Sequence, residues 1–72
     1  MKVKYNPKLS EGQRIREHRL RVGLTQEELA RKVGVTTHTI WRLENTLPFN
    51  PRVQTVRSIA KALAIDISLL LS

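Results

Sequence analysis

Between Leu24 and Ile40 the chain carries a helix start, a helix stop and a second helix start in immediate succession. Thr25 and Glu28 have capping-box spacing: the threonine hydroxyl accepts from the amide three residues on, and the glutamate reaches back to the threonine amide. Leu24 and Leu29 occupy the two positions of a hydrophobic staple around that box. Leu29, Ala30 and Val33 supply an inner face, and Gly34 stands where a left-handed C-cap is needed, followed by apolar Val35. Thr36 then suits an N-cap, and Val35 with Ile40 repeats the staple. Two helices joined by so short a link must turn sharply, which is the helix-turn-helix corner.

The flanking sequence continues in the same helical period. Ser10 and Gln13 form another capping-box pair, with Gly12, Ile15, Arg19 and Val22 on one face, Leu20 beside them, and Gly23 as the stop. Arg14, Arg16, Glu17 and Arg21 are expected on the surface of that helix, and His18 at the surface or the edge of the core. The third helix is expected over residues 37–46, its stripe running through Ile40, Leu43, Glu44 and Leu47. Asn50 and Pro51 read as the N-cap and first residue of a fourth helix striped by Val53, Val56, Ile59, Ala60 and Leu63. Asp66 can cap a last short helix running through Leu71. No stretch has strand character. The expectation is an all-α, five-helix domain over residues 10–72, preceded by a basic and mobile N-terminal arm over residues 1–9.

Composition limits what such a domain can do. There is no cysteine, so disulfides and thiolate metal sites are excluded. No apolar run is long enough to span a bilayer and no secretory signal opens the chain, so a cytoplasmic protein without a membrane partner is expected. Thirteen Lys and Arg against six Asp and Glu leave a net charge of +7, which favours a polyanionic partner. Tyr5, Trp41 and Phe49 are the only aromatic residues, too few for a surface that stacks RNA bases. His18 and His38 fall on different helices and Asp66 is the lone aspartate. With no nucleophile–base or metal-ligand spacing, no enzyme, metal, cofactor or small-molecule ligand is expected.

Two charges stand on inner faces. Arg19 lies on the stripe of the first helix and Glu44 on that of the third. Buried charges are normally paired, so either the two meet as a bidentate Arg–carboxylate pair or each snorkels to solvent from the edge of its stripe. The opposite face of the third helix carries Thr37, His38, Trp41, Arg42 and Asn45, all able to donate or accept hydrogen bonds. Lys and Glu are more usual on a merely solvated face. Such a face suits base edges: Arg42 matches two acceptors of guanine, and Thr37 or His38 a base edge or a thymine methyl. Trp41 either joins that surface, folds back on a neighbour or enters a protein interface.

Residues 12–71 also resemble the helix-turn-helix domains of the Cro/cI-type (XRE) transcriptional regulators. The resemblance is carried by Gly23-Leu24-Thr25-Gln26-Glu27-Glu28-Leu29-Ala30, Val33-Gly34-Val35-Thr36, Thr39-Ile40, Leu43-Glu44-Asn45, Asn50-Pro51 and Ile59-Ala60-Lys61-Ala62-Leu63. It implies a lambda-repressor-like fold and a repressor that binds a palindromic double-stranded DNA operator as a homodimer, its paired helices ~34 Å apart. It further implies that Thr37, His38 and Arg42 contact bases, while Gln26, Thr36, Thr39, Trp41, Asn45 and Arg52 lie at the DNA backbone or groove edge. Gln26 would also buttress the recognition helix, and Arg19 and Glu44 match a family ion pair. The chain departs from the family at Thr46 and Leu47, where glycine and a basic residue are frequent. It departs again at Trp41, where a small serine is frequent, and at Ala64, where a C-cap glycine is frequent. The apolar loop of Leu47 and Phe49 supports a second reading, an antitoxin or accessory module holding a protein partner through that loop and the C-terminal helix.

Overall fold

The computed structural model describes residues 10–45 and 51–71. Within them the chain forms α1 (Glu11–Val22), α2 (Gln26–Val33), α3 (Thr37–Asn45) and α4 (Val53–Ala62), followed by a 3-10 turn (Ile67–Leu69). The last short helix expected from Asp66 to Leu71 is thus a single 3-10 turn, capped as anticipated by the Asp66 side chain, which accepts from Ser68 N at 2.8 Å. Both capping boxes close. Ser10 Oγ accepts from Gln13 N and Gln13 Oε1 from Ser10 N; Thr25 Oγ1 accepts from Glu28 N and Glu28 Oε1 from Thr25 N. Thr36 Oγ1 accepts from Thr39 N at 3.1 Å and starts α3.

Three helices end in the same way. The amides of Leu24, Val35 and Ile65 return to the carbonyls of Arg19, Ala30 and Ala60 at 3.0–3.1 Å, each across a residue of positive φ. That residue is Gly23 (φ 85°), Gly34 (φ 86°) and, at the end of α4, Ala64 (φ 56°). These are Schellman turns, in which the apolar residue after the turn folds back onto the helix it has just left. Leu24, Val35 and Ile65 all pack against the core.

The core consists of Ile15 from α1, Leu29 and Ala30 from α2, Ile40 from α3, Val56, Ile59 and Ala60 from α4, and Leu63 and Leu70 beyond it. α3 packs on both α1 and α2, and α4 packs on α2 and the 3-10 turn. Gly12 sets the distance of the first of these crossings. A Cβ there would overlap the Leu43 carbonyl oxygen and meet Glu44 Cα at 3.2 Å, so α1 can sit on the backbone of α3 only where it lacks a side chain.

Several sequence expectations need correction. α4 begins at Val53 with Arg52 as its N-cap, and no side chain caps it. Extended backbone at Arg52 (φ −68°, ψ 143°) leaves Pro51 outside the helix; Asn50 lies outside the described residues. Leu20, Val22 and Val53, near helix ends, are about half exposed or more (51, 52 and 62 %). Conversely, Arg14 and His18, expected at the surface or core edge, are each 4 % exposed. They sit one turn apart beside Ile15 and Arg19, so the buried arc of α1 is wider than its apolar stripe. The N-terminal arm, Thr46 and the loop through Leu47 and Phe49 also lie outside the described residues. No described helix is long and apolar enough to cross a membrane.

Candidate nucleic-acid interface

The site is built outward from one carboxylate. Glu44, 5 % exposed on the inner side of α3, faces the Arg19 guanidinium of α1. Nε of Arg19 donates to Oε2 at 2.7 Å and Nη2 to Oε1 at 3.0 Å, so the fork is bidentate. The third guanidinium nitrogen, Nη1, donates to the Leu24 carbonyl in the α1–α2 turn at 2.7 Å. From the first residue of α2, Gln26 Nε2 donates to the same Oε1 at 3.2 Å. Both charges are therefore buried with their hydrogen-bonding capacity largely used, the condition under which a buried pair is tolerated. The network joins α1, the turn, α2 and α3, and its planar geometry fixes the angle at which α3 is presented.

With its inner side so held, α3 turns Thr37, His38, Trp41, Arg42 and Asn45 outward, all of them exposed. The rings of His38 and Trp41 stack, their planes 10° apart and centroids 6.0 Å apart. Trp41 thus leans on a neighbour while staying 48 % exposed. The three-residue spacing on one helix face was the signal for this stack. Asn45 Nδ2 donates to the Trp41 carbonyl at 2.9 Å, an interaction within α3. Thr36 and Thr39, at the helix start, share a hydroxyl–hydroxyl hydrogen bond of 2.9 Å. Arg42 has no ion-pair partner among the described residues, and Arg52 is exposed ahead of α4. Of the residues singled out in the sequence, Arg19, Glu44 and Gln26 therefore form one buried cluster. Thr37, His38, Trp41, Arg42 and Asn45 form one outer face.

Electrostatics of the surroundings are local. The buried His18 imidazole titrates below its usual value, chiefly because burial disfavours its charged form and secondarily because of Arg21, with Glu17 opposing. Hydrogen bonds from Thr25 hold the Glu28 carboxyl below its usual value, and those from Ser68 do the same for Asp66, so both caps are carboxylates at neutral pH. Among the described residues no three His, Cys, Asp or Glu side chains gather as a metal site would require.

Comparison with known proteins identifies the family and the fold. The family described as "Helix-turn-helix domain" matches residues 12–71. A protein of Methanothermobacter thermautotrophicus named as an uncharacterized HTH-type transcriptional regulator is 53 % identical over 49 residues, 68 % of this chain and 70 % of that protein. SinR of Bacillus subtilis, an HTH-type transcriptional regulator, is 33 % identical over 83 % of this chain, which spans only 54 % of SinR. Its N-terminal DNA-binding domain superposes with a TM-score of 0.80 at 32 % identity, covering 86 % of this chain and 90 % of that domain. The P22 c2 repressor in complex with a synthetic operator superposes with a TM-score of 0.81 at 28 % identity, covering 90 % and 97 %. These are regulators, not enzymes. A family match over residues 12–71 and repressor domains of the same fold lead to one conclusion: the chain belongs to the helix-turn-helix family of XRE/cI-type transcriptional regulators.

Proposed function

We propose that this protein binds double-stranded DNA sequence-specifically, with α3 in the major groove, and represses transcription as a homodimer on a palindromic operator. The observation that carries the reading is the division of α3 into an inner side fixed by the Arg19–Glu44–Gln26 cluster and an outer side of exposed hydrogen-bonding residues. In this docking Thr37, His38 and Arg42 meet base edges, Arg42 taking the N7 and O6 acceptors of a guanine. Thr36, Thr39, Trp41, Asn45 and Arg52 lie along the backbone or groove edge. Gln26 opens α2, where unpaired amides and the positive helix end favour a phosphate. Residues 10–72 serve as the DNA-binding domain, residues 1–9 as a basic arm, and the site of action is the cytoplasm.

Selection of bound duplexes from a random pool tests the reading. The expected product is a two-fold symmetric sequence whose half-sites lie one helical turn apart, the spacing two α3 helices of a dimer require. Affinity should fall with salt at a log–log slope of about −0.9 per phosphate neutralised. Failure to enrich any sequence, or affinity indifferent to salt, would overturn it.

A further inference from the structure

The proposed DNA contacts from α2 and α4, Gln26 and Arg52, both lie at the N-terminal ends of those helices. The C-terminal end of α2 and the length of α4 border a different surface feature. Two adjoining hollows of about 480 and 460 Å³ run along α4, sharing Ser58 and Lys61. One is lined by Lys32 and Val33 of α2 with Ala62 of α4, and the other by Val53, Gln54 and Arg57. From Val53 to Lys61 the trough is about 12 Å long, two helical turns. Its apolar surface comes from Val33, Ala62 and the exposed Val53, and its rim from Lys32, Arg57 and Lys61.

The distribution of carboxylates sets this rim apart. Five of the six acidic residues are already engaged within the fold: Glu17 with Arg21, Glu27 with Arg31, Glu44 with Arg19 and Gln26, and Glu28 and Asp66 as caps. The sixth, Glu11, opens α1. α4 contains no acid at all, and among the described residues Lys32, Arg57 and Lys61 make no ion pair. Lys32 and Lys61 near helix C-termini are partly explained by the negative helix end there. That account does not reach Arg57, which sits in mid-helix, nor the apolar floor between the cations. A second copy of this chain docking through the same trough would set Lys32, Arg57 and Lys61 against their own counterparts and be repelled. A DNA phosphate has no use for the apolar floor.

We infer that the α2–α4 trough is a docking surface for an acidic amphipathic helix of a partner protein. Two turns of such a helix lay apolar side chains against Val33, Val53 and Ala62, while carboxylates on its flanks meet Arg57 and Lys61 on one side and Lys32 on the other. This mode is helix-in-groove recognition with charge complementarity at the rim. The inference does not rest on the DNA-binding proposal: no α3 residue lines the trough, and only its Val53 end adjoins a proposed DNA contact, Arg52.

The test uses a capped synthetic peptide of about 14 residues, with leucines at helical spacing and glutamates flanking them, titrated into the whole protein. Backbone amide shifts are expected to concentrate at Lys32, Val33, Arg57, Ser58 and Lys61. Arg57→Ala with Lys61→Ala should weaken binding at least tenfold without moving the thermal midpoint, and so should replacing the peptide glutamates by glutamine. A saturating duplex should leave peptide affinity within about threefold. Absence of binding, shifts centred on residues 37–45, or displacement of the peptide by duplex would each overturn the inference. So would concentration-dependent shifts at the trough in the protein alone, which would make the occupant a second copy.

Discussion

Arg19 of α1 and Gln26 of α2 donate to the same atom, Oε1 of Glu44, at 3.0 and 3.2 Å. One carboxylate oxygen thereby receives a charged and a neutral donor from two helices, and a single carboxylate carries the orientation of α3. Removing the guanidinium leaves that carboxylate buried with only the amide for company. Arg19→Met is therefore expected to cost ~3–5 kcal/mol, measured by urea denaturation at neutral pH. Arg19→Met combined with Glu44→Leu should cost markedly less than the sum of the single changes. Additive losses would mean that the two side chains contribute separately.

Base readers and positioning residues should separate by their effect on specificity. Arg42→Ala is expected to weaken binding to the selected operator by ~1–3 kcal/mol and to relax preference at one base pair. Gln26→Ala should weaken operator and random duplex evenly, since it removes the proposed phosphate contact and one donor to Glu44. Competition binding with single-base operator variants distinguishes the two patterns. Equal losses on all sequences for Arg42→Ala would take it out of the base-reading set.

Burial lowers the pKa of His18, so the unfolded chain takes up its proton first as pH falls. Stability is accordingly full above the ordinary histidine value of 6.5. It declines as pH drops below that value, and levels off for this group below the folded-state pKa. Unfolding curves collected between pH 7 and 5 should show this decline, and His18→Gln should flatten it. An unchanged slope in the variant would assign the effect to other groups.

Ala64 holds a left-handed conformation that glycine holds at the other two Schellman turns. The methyl group costs ~1–2 kcal/mol there, partly offset by the smaller entropy loss of alanine on folding. Ala64→Gly should raise stability by up to ~1 kcal/mol, seen as a higher thermal midpoint at equal denaturation slope. A fall in midpoint would show that the entropy term dominates.

Much of this was legible because it is local. Capping boxes, αL stops and staples act within five residues, and Thr25, Gly34 and Thr36 place the helix-turn-helix corner without reference to the remainder of the fold. The ion pair was legible for a different reason: two opposite charges on apolar stripes leave few other ways to be buried. Less visible were features set by how far one element overlaps another. Val22 and Val53 satisfy the helical period yet stay exposed, whereas Arg14 and His18 break it and are covered. Gly12 was placed on the inner face, but that it lies against the backbone of α3 follows only from the crossing itself. On the outer face, the composition of α3 was readable, whereas the convergence of Gln26 on Glu44 needed the three-dimensional arrangement.

The anchoring of α3 from behind has an evolutionary consequence. No side chain at positions 37, 38, 41 or 42 takes part in the buried cluster, so those positions can be exchanged as a set without disturbing the scaffold. A scaffold of this kind can acquire a new operator through surface substitutions alone, each nearly neutral for folding. On the proposed docking, the choice of operator and the stability of the fold would then be set by separate residues of one helix.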